Sequence, residues 1–552
     1  MLRFIPSLLL LAPVSLAGDL FVDANLNTGL DDGSSWDNAF QGERGLKDAS
    51  NAAVSGDRIF VAQGTYKPAI GSNRNISINL TDGVEIYGGF LGGESSPADR
   101  PPFGTAPTIL DGDLGDNDDM GMFGDNSYHC IRSGSAGPTA VVDGLVIRAG
   151  NSNGTGTNDT GGGILCLDGA PTIRNCHFLD HRCTFGGAAG YINGAGPTFT
   201  ECIFENGDGG SFGGAFDIAT GQSTIVFDRC LFKNNIADRA GALEIFATTG
   251  TVVTNCVFVD NESRGSGGGG GMWVGSGGTT TITNCSFVAN RSTVQNQGGL
   301  RNQGSTANVA NCIFWDNEGP GGSQNSNNQI GGAGTTVSYS LVEGGFTGTG
   351  NLSGDPMFVD LASRDLSLGA GSPAIDAADN TQIAPVPFDQ AHAPRYVNDP
   401  NTTDTGVGTA PIVDMGAYEA SIGISDRYCI AADNSTGGPS LLVATGSLAV
   451  ADNDVDLVVS NLPMNEFGYF LMSETRTQIP AASGILCLGG PQYRFNTDVL
   501  NSGSAGGMAF SPDLNNLPSG VSVAAGDTWY FQLWHRDGAT SNFSSSLCFT
   551  WE

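Results

Sequence analysis

The chain has 552 residues and a net charge of −33, and 83 of its residues are glycine while only 14% are charged. This composition is typical of a turn-rich protein and disfavours a helical enzyme. The acidic excess argues against a nucleic-acid-binding protein, because phosphates would be repelled. It also disfavours a lyase of anionic polyuronates, unless local cations or bound calcium override the average.

Residues 1–17 are predicted to be a cleaved signal peptide. Arg3 precedes an apolar run from about Ile5 to Leu16, and the small residue Ala17 stands before the expected cleavage point. The run is too short to span a bilayer, and no later apolar run approaches membrane length. We therefore expect a secreted or cell-surface protein without a transmembrane segment.

A repeated phrase fills the middle of the chain. It is clearest as TNCVFVDN at 254–261 and TNCSFVAN at 283–290. Its cysteine recurs every 26 to 29 residues, at positions 176, 202, 230, 256, 285 and 312. A fixed period of this size predicts a stack of similar structural units, and the pattern extends to about eight of them.

The apolar positions within one repeat predict a bend. Ile173, Cys176 and Phe178 are spaced by three and then two residues, so a flat strand would place Ile173 and Cys176 on opposite faces. A corner between them lets all three point inwards. Asparagine, which tolerates a left-handed backbone, stands there as Asn175 and again in several later repeats.

A second strand signal precedes each corner, for example GGAFDIA at 213–219 and AGALEIF at 240–246. Each period therefore holds about three short strands separated by glycine-rich turns, with no helical pattern between them. This organisation predicts a parallel β-solenoid with Cys and Phe ladders in its core. We expect the repeat cysteines to be reduced, although bonds between neighbouring thiols are an alternative.

These NCxFxxN repeats resemble those of the right-handed parallel β-helix superfamily, which has the pectate-lyase-like fold, and in particular its bacterial secreted branch. DDGSSWDNAF at 31–40 and GDRIFVAQGTYKP at 56–68 are similar to its opening cap. GSPAIDAAD at 371–379 and IVDMGAYE at 412–419 are similar to the closing segment of its choice-of-anchor modules. The resemblance covers residues 18 to about 420. It implies a fold and secretion but no particular activity, because the same scaffold carries lyases, hydrolases, adhesins and spacers.

The period ends after Glu419, and alternating strands such as TWYFQLWHRD at 528–537 predict a smaller antiparallel β-sandwich. The predicted boundaries are as follows: signal peptide 1–17; β-helix 18–422, with a cap at 18–125, regular coils at about 126–345 and a closing segment at 346–422; and C-terminal domain 423–552. Two of Cys429, Cys487 and Cys548 are expected to form a disulfide in this domain. Its tryptophans are expected in the core, with a stacking platform for sugar rings as the alternative.

The candidate catalytic residues come from aligning the Gly-Gly starts of the strands. This alignment places Asp217 and Glu244 at one offset in neighbouring coils, followed by Val274 and Asn302. Carboxylates about 5 Å apart suit a retaining glycosidase or a cation site, whereas the alternative is a solvated outer face. Arg301 is a candidate lyase base or substrate anchor. The sequence lacks a paired-Asp motif with a downstream Gly-His-Gly and lacks Arg-x-Pro-x-x-Arg, which disfavours the familiar enzymes of this fold.

An acidic segment, LDGDLGDNDDM at 110–120, is the candidate metal site. Its ligands would be Asp111, Asp113, Asp116 and Asp118, whose oxygens suit calcium. The spacing is not that of an EF-hand, because Gly115 stands where an oxygen ligand is required. A solvent-exposed acidic loop is the alternative, and no other cofactor is predicted.

Two functions remain after these observations. The first is a non-catalytic, monomeric, adhesin-like scaffold that binds an extracellular polysaccharide or a cell-envelope component. The second is a polysaccharide-degrading enzyme, either a glycoside hydrolase or a polysaccharide lyase, that acts along the strand face. A groove with converging acids and bases would favour the enzyme, whereas a smooth face of Gly, Ser, Thr and Asn would favour the scaffold.

Overall fold

The computed structural model of the chain describes residues 18–551 except 102, 221–223, 248–249, 321, 323–324, 383–387, 394, 397–398, 400–401, 410, 421–425, 430, 433, 437 and 504–505. The signal peptide predicted at 1–17 lies outside the described residues. Among the described residues, no helix is both long enough and apolar enough to cross a membrane.

The larger part of the chain winds into coils, and equivalent strands of successive coils pair in three parallel sheets. In spatial order, the first sheet consists of Phe40–Gln41, Asp19–Asp23, Arg58–Ala62, Glu85–Phe90, Val141–Asp143, Thr172–Arg174, Thr198–Thr200, Ile225–Asp228, Thr251–Thr254, Thr279–Thr283, Thr306–Ala310 and Thr335–Ser338. The second sheet consists of Gly64–Tyr66, Thr108–Asp111, Leu145–Arg148, His177–Leu179, Ile203–Glu205, Leu231–Lys233, Val257–Val259, Ser286–Val288, Ile313–Trp315 and Leu341–Val342. The third sheet consists of Ile78–Asn79, Ile131–Arg132, Ile164–Leu167, Gly190–Asn193, Phe216–Thr220, Leu243–Phe246, Met272–Gly275, Leu300–Gln303 and Ile330–Gly331.

In the part of the chain that the structure describes, the coils make about ten turns rather than about eight. The extra turns lie at the N-terminal end, where Asp19–Asp23 already pairs with Arg58–Ala62 in the first sheet. Between the second and third sheets, further short strands pair in parallel. Asn151–Ser152 pairs with Arg182–Cys183, and Glu262–Gly268 pairs with Ile236–Arg239 on one side and with Arg291–Ser292 on the other. The helical segments are the α-helices Gly45–Ala52 and Ser326–Gln329 and the 3-10 turns Trp36–Asn38, Pro97–Asp99, Asp118–Met120, Gly156–Asp159, Asn380–Gln382, Val450–Asp452 and Pro518–Gly520.

The corner between the first and second sheets has the predicted geometry. Positive φ angles between 50 and 56° occur at Asn175, Asn255, Asn284 and Asn311. The bend compensates for the odd spacing of the apolar residues, so that Ile173 and Cys176 both point into the tube and are at most 1% exposed. The strand, corner and strand of each repeat are therefore confirmed.

Equivalent side chains stack from coil to coil inside the tube. The ring centroids of Phe258 and Phe287 lie 4.4 Å apart, and that of Phe314 lies 4.6 Å beyond Phe287. The repeat cysteines are buried free thiols, and the backbone N–H of Cys256 donates to Sγ of Cys285 at 3.4 Å. The thiols thus act as small core groups, and the alternative of disulfides between neighbouring coils is wrong in this structure.

A buried asparagine ladder runs beside the phenylalanines, and the sequence analysis did not predict it. Asn261 Nδ2 donates to Oδ1 of Asn290 at 2.9 Å, and Asn290 repeats this bond to Asn317 at 2.9 Å. Each of these asparagines stands five residues after a repeat cysteine. Because buried amides need partners, the same residue type must recur in successive coils.

The closing segment packs against the corner asparagines. Asn284 Nδ2 donates to the carbonyl of Asp414 at 3.2 Å, and Asn311 Nδ2 donates to that of Asp379 at 3.0 Å. The fully buried Arg395 donates to Asn255 Oδ1 and pairs with Glu419 at 2.9 Å. The residue that allows the bend therefore also anchors residues far away in the sequence.

The C-terminal region forms the antiparallel sheets of a smaller β-sandwich, as predicted. Its larger sheet consists of Asp426–Cys429, Ser546–Thr550, Thr528–Asp537, Phe467–Ser473 and Tyr493–Arg494, with Leu500–Asn501 and Thr540–Phe543 at its sides. The other antiparallel strands are Leu441–Gly446 with Val455–Ser460 and Met508–Phe510, Arg476–Ala481 with Gly484–Leu488, and, in the closing segment, Phe358–Asp360 with Asp365–Leu368. A disulfide joins Cys429 to Cys487 across a Cα–Cα distance of 6.3 Å.

Candidate functional site

The predicted carboxylate pair lies on neighbouring strands of the third sheet. Asp217 is in register with Glu244, and the same row of outward positions continues through Trp273 to Arg301. With strands about 4.8 Å apart, the row brings two acids, an indole and a guanidinium onto successive coils. The structure thus places all three candidate catalytic residues in one row.

The predicted continuation of this row through Val274 and Asn302 is wrong by one residue. Each strand follows a residue with positive φ, which is Gly213, Ala240 and Gly269 in three of the coils. Gly269 lies within a run of five glycines at 267–271, which hides the start of its strand, and in the next coil the equivalent residue is Gln297. An alignment on Gly-Gly pairs therefore starts one position too late in both coils. The repeat conserves the backbone conformation while the residue type changes.

The row is buried, although it faces away from the core of the tube. Asp217 is 4% exposed, Glu244 1% and Trp273 2%. Arg239 donates from Nε to Glu244 Oε2 at 3.0 Å and from Nη2 to Oε1. Its guanidinium carbon lies 4.4 Å from the ring centroid of Phe212 and 4.2 Å from that of Trp273. This arrangement is neither the solvated face nor the open groove that the sequence analysis considered.

Glycine-rich backbone covers the row. A Cβ on Gly267, in the strand Glu262–Gly268, would lie 2.3 Å from Cβ of Arg239. A Cβ on Gly186 would lie 2.3 Å from Oδ2 of Asp217. Only glycine allows the chain to approach these side chains so closely, which explains why the connections between the second and third sheets are rich in glycine.

The two acids hold their protons differently. Burial raises the pKa of Asp217 well above its ordinary value, and the neighbouring Glu244 raises it further. Burial also raises the pKa of Glu244, but its hydrogen bonds from Arg239 oppose this shift. Among the described residues, no hydrogen-bond partner of the Asp217 carboxyl is present. Asp217 is therefore expected to keep its proton to higher pH than Glu244, whose charge Arg239 stabilises.

Arg301 ends the row and is half-buried. Its Nη1 is buried and has no hydrogen-bond partner in the described part of the chain, and the same holds for Nε1 of Trp273. Trp273 separates Arg301 from Glu244 in the register. Arg239, which was not predicted from the sequence, is therefore the arginine that pairs with Glu244.

The four predicted calcium ligands bind different partners. Asp111 accepts hydrogen bonds from Arg148 at 2.5 and 3.0 Å, and Asp116 pairs with Lys67 at 2.7 Å. Asp113 accepts backbone N–H groups of its own loop, those of Gly115, Asn117 and Asp118. Burial raises the pKa of Asp118 to about 6. Within the described ranges, no group of three or more His, Cys, Asp or Glu residues is placed to hold a metal ion.

A shallow depression lies at the corner between the third and first sheets, where the sequence analysis predicted no site. Its volume is about 650 Å³, and it is lined by Gly277, Gly278, Thr279, Gly304, Ser305, Thr306, Ala333 and Gly334. Thr279 and Thr306 are exposed neighbours in register. The signal in the sequence is the short turns SGGT, QGST and GAGT in three successive coils. We name this region the corner depression.

The comparisons with known proteins concern the coils. The family model described as "Right handed beta helix region" matches residues 140–267. The chain is also similar to the crystal structure of pectate lyase Pel9A, at 15% sequence identity and a TM-score of 0.35, over 74% of this chain and 98% of that one. No curated protein matches the chain. The family match supports a right-handed β-helix, and an identity this low carries no information about activity.

Proposed function

We propose that this protein is a non-catalytic extracellular scaffold whose β-helix binds glycans at the corner depression. The observation that supports this proposal is the contrast between two polar surfaces. The corner depression is open and lined by small side chains, whereas the acid row of Asp217 and Glu244 is buried. A smooth surface of Gly, Ser and Thr was the feature expected of a scaffold.

The chemistry of the corner depression suits sugar hydroxyls. The exposed residues Thr279 and Thr306 lie on neighbouring coils, and Ser305 Oγ between them accepts the backbone N–H groups of Gly277 and Gly278 at 3.0 and 3.4 Å. Three coils span about 10 Å, which is the length of roughly two sugar rings. Groups of this kind bind by hydrogen bonds without a charged partner, so the surface suits a polymer that presents many weak sites.

Binding of the full chain to a panel of pectin, alginate and sulfated glycans tests the proposal. Thr306→Trp fills the corner depression and is expected to abolish binding of the glycan that the wild type binds. Thr198→Trp is the matched control, because Thr198 lies on the outward row of the same sheet several coils away. Equal loss in both variants, or no binding by the wild type, would overturn the proposal.

The second candidate function is polysaccharide cleavage at the acid row. The observation that favours it is the position of Asp217 beside Glu244 on neighbouring strands in different surroundings. Burial raises the pKa of Asp217 well above its ordinary value, whereas hydrogen bonds from Arg239 oppose the same shift at Glu244. A retaining glycosidase needs two carboxyl groups whose surroundings separate their pKa values. Asp217 would donate a proton to the glycosidic oxygen while Glu244 attacked the anomeric carbon. The substrate would have to reach side chains that are at most 4% exposed.

Release of reducing ends or unsaturated uronates from the same panel, with and without calcium, decides between the two functions. The scaffold proposal expects no release by the wild type. Release that Asp217→Asn abolishes would establish the enzyme and contradict the scaffold.

A further inference from the structure

The C-terminal domain contains a cavity of about 320 Å³ on the outer face of its larger sheet. It is lined by Tyr469, Leu471, Leu486, Gln492, Arg494, Trp534 and Phe543. Alternation along the strands explains its position, because Phe470 and Leu533 point into the main core while Tyr469 and Trp534 point to the opposite side. The cavity is therefore separate from the core of the domain.

Two aromatic side chains form one wall of this cavity. Tyr469 and Trp534 are neighbours across paired strands, and their ring centroids lie 5.0 Å apart at an angle of 35°. Both are half-buried, whereas Trp529 and Trp551 are at most 2% exposed in the main core. Trp534 thus has a ring surface available to a ligand, and the sheet holds it rigidly.

The polar side chains at the rim have unused hydrogen-bonding groups. Arg494 is exposed and lies opposite Leu471 in the register. Its guanidinium has no ion pair or hydrogen bond within the described part of the domain. Gln492 uses its Nε2 for a bond of 3.3 Å to the carbonyl of Leu488, which leaves its Oε1 available. In a chain of net charge −33, this unpaired guanidinium creates a local preference for an anion.

We propose that this cavity binds a single sugar ring bearing a carboxylate, that is, a uronic acid residue. The apolar face of the ring packs on Trp534 and Tyr469, Arg494 donates to the carboxylate, and Gln492 Oε1 accepts a ring hydroxyl. The volume lies at the low end of the range for ligand cavities, about 300–1,000 Å³, which suits one ring. This inference rests on the proposed glycan-binding function and adds a second point of attachment, which increases avidity for a polymer.

Calorimetric titration of the full chain with an oligogalacturonate and with the matching neutral oligogalactoside tests the proposal. Arg494→Gln is expected to weaken oligogalacturonate binding about tenfold, the effect of one charge-assisted hydrogen-bonded pair, and to leave oligogalactoside binding unchanged. Tyr469→Ala is expected to weaken both. Arg44→Gln is the control, because Arg44 is an exposed arginine on the β-helix.

The outcomes separate this inference from the proposed function. Unchanged oligogalacturonate binding in Arg494→Gln, or equal binding of the two oligomers by the wild type, overturns the inference. If Thr306→Trp abolishes glycan binding while Arg494→Gln and Tyr469→Ala both leave it unchanged, the cavity proposal fails and the corner depression stands. If the wild type binds no glycan at all, the proposed function fails as well.

Discussion

The β-helix presents two polar regions on its outside, and only one of them is accessible. Two long connections between the second and third sheets cover the acid row. Gly186, between His177–Leu179 and Gly190–Asn193, lies against Asp217, and the strand Glu262–Gly268 lies against Arg239, which pairs with Glu244. The corner depression lies beside the turn between Met272–Gly275 and Thr279–Thr283, which is too short to cover anything. The difference shows that an outward position in a coil does not decide accessibility; the length of the adjacent connection does.

The largest loss of stability is expected from removing Arg239, the arginine that pairs with Glu244 of the acid row. Arg239→Ala leaves Glu244 buried without its partner and removes the contacts of the guanidinium with Phe212 and Trp273. It should therefore destabilise the β-helix by about 3 kcal/mol at neutral pH. Chemical denaturation measures this loss. Arg291→Ala, whose side chain is 57% exposed, should cost less than about 0.5 kcal/mol, and equal costs would contradict the described closure.

Removing the negative charge of Glu244 should reduce the stability less than removing Arg239. Glu244→Gln keeps the volume of the side chain and one hydrogen-bond acceptor for Arg239. Because the Arg239 side chain is itself partly exposed, we expect the free energy of unfolding to fall by about 1–2 kcal/mol. Because burial raises the pKa of Glu244 above its ordinary 4.5 in the folded state, the wild type gains stability as pH falls below the folded-state pKa, so the loss in the variant should grow at low pH. A loss that shrinks at low pH would show that the ion pair with Arg239 outweighs the cost of burying the charge.

Asp217→Asn should act in the opposite direction. Because the pKa of Asp217 is raised above its ordinary 3.8 in the folded state, the wild type loses stability as pH rises from the unfolded-state pKa towards the folded-state pKa. Asparagine does not ionise, so the variant should be more stable than the wild type at neutral pH. Below pH 3.8, where Asp217 is protonated in both the folded and the unfolded wild type, this advantage of the variant should disappear. Thermal unfolding of both proteins across this pH range measures the difference in stability. A variant that is less stable than the wild type at neutral pH would contradict the prediction.

The smallest change in stability is expected in the corner depression. Thr306 is exposed, so Thr306→Trp should change the free energy of unfolding by less than about 0.5 kcal/mol. Chemical denaturation checks this, and a larger loss would mean that the depression is part of the packed structure. If the variant is as stable as the wild type, its loss of glycan binding can be attributed to the filled depression and not to unfolding.

The repeat predicted the inside of the tube better than its outside. The odd spacing of Ile173 and Cys176 was sufficient to predict the corner, because only a bend reconciles it with burial. The register of Asp217 and Glu244 followed from their similar coils. The predicted continuation through Val274 and Asn302 was wrong by one residue, because the glycine run at 267–271 hides the start of one strand and Gln297 replaces the expected glycine before the next.

The closure of the acid row had no signal in the repeat. It depends on Arg239, on the strand Glu262–Gly268 that lies against it, and on Gly186, which lies against Asp217. Likewise, the alternation in 528–537 predicts that Trp529 and Trp534 face opposite sides, but Arg494 joins Trp534 at one cavity only through strand pairing. Sequence patterns predict the face of a side chain, whereas its neighbours depend on which distant segments pack there.

Carboxyl labelling of the native protein by carbodiimide coupling to an amine, read by peptide mass spectrometry, tests the central claim most directly. Asp238 is exposed and stands beside Arg239, so it is the internal reference for solvent access. The structure predicts that Asp238 is labelled while Asp217 and Glu244 stay unlabelled until the protein unfolds. Labelling of Asp217 or Glu244 at the rate of Asp238 would show that the acid row is open and would contradict the scaffold account.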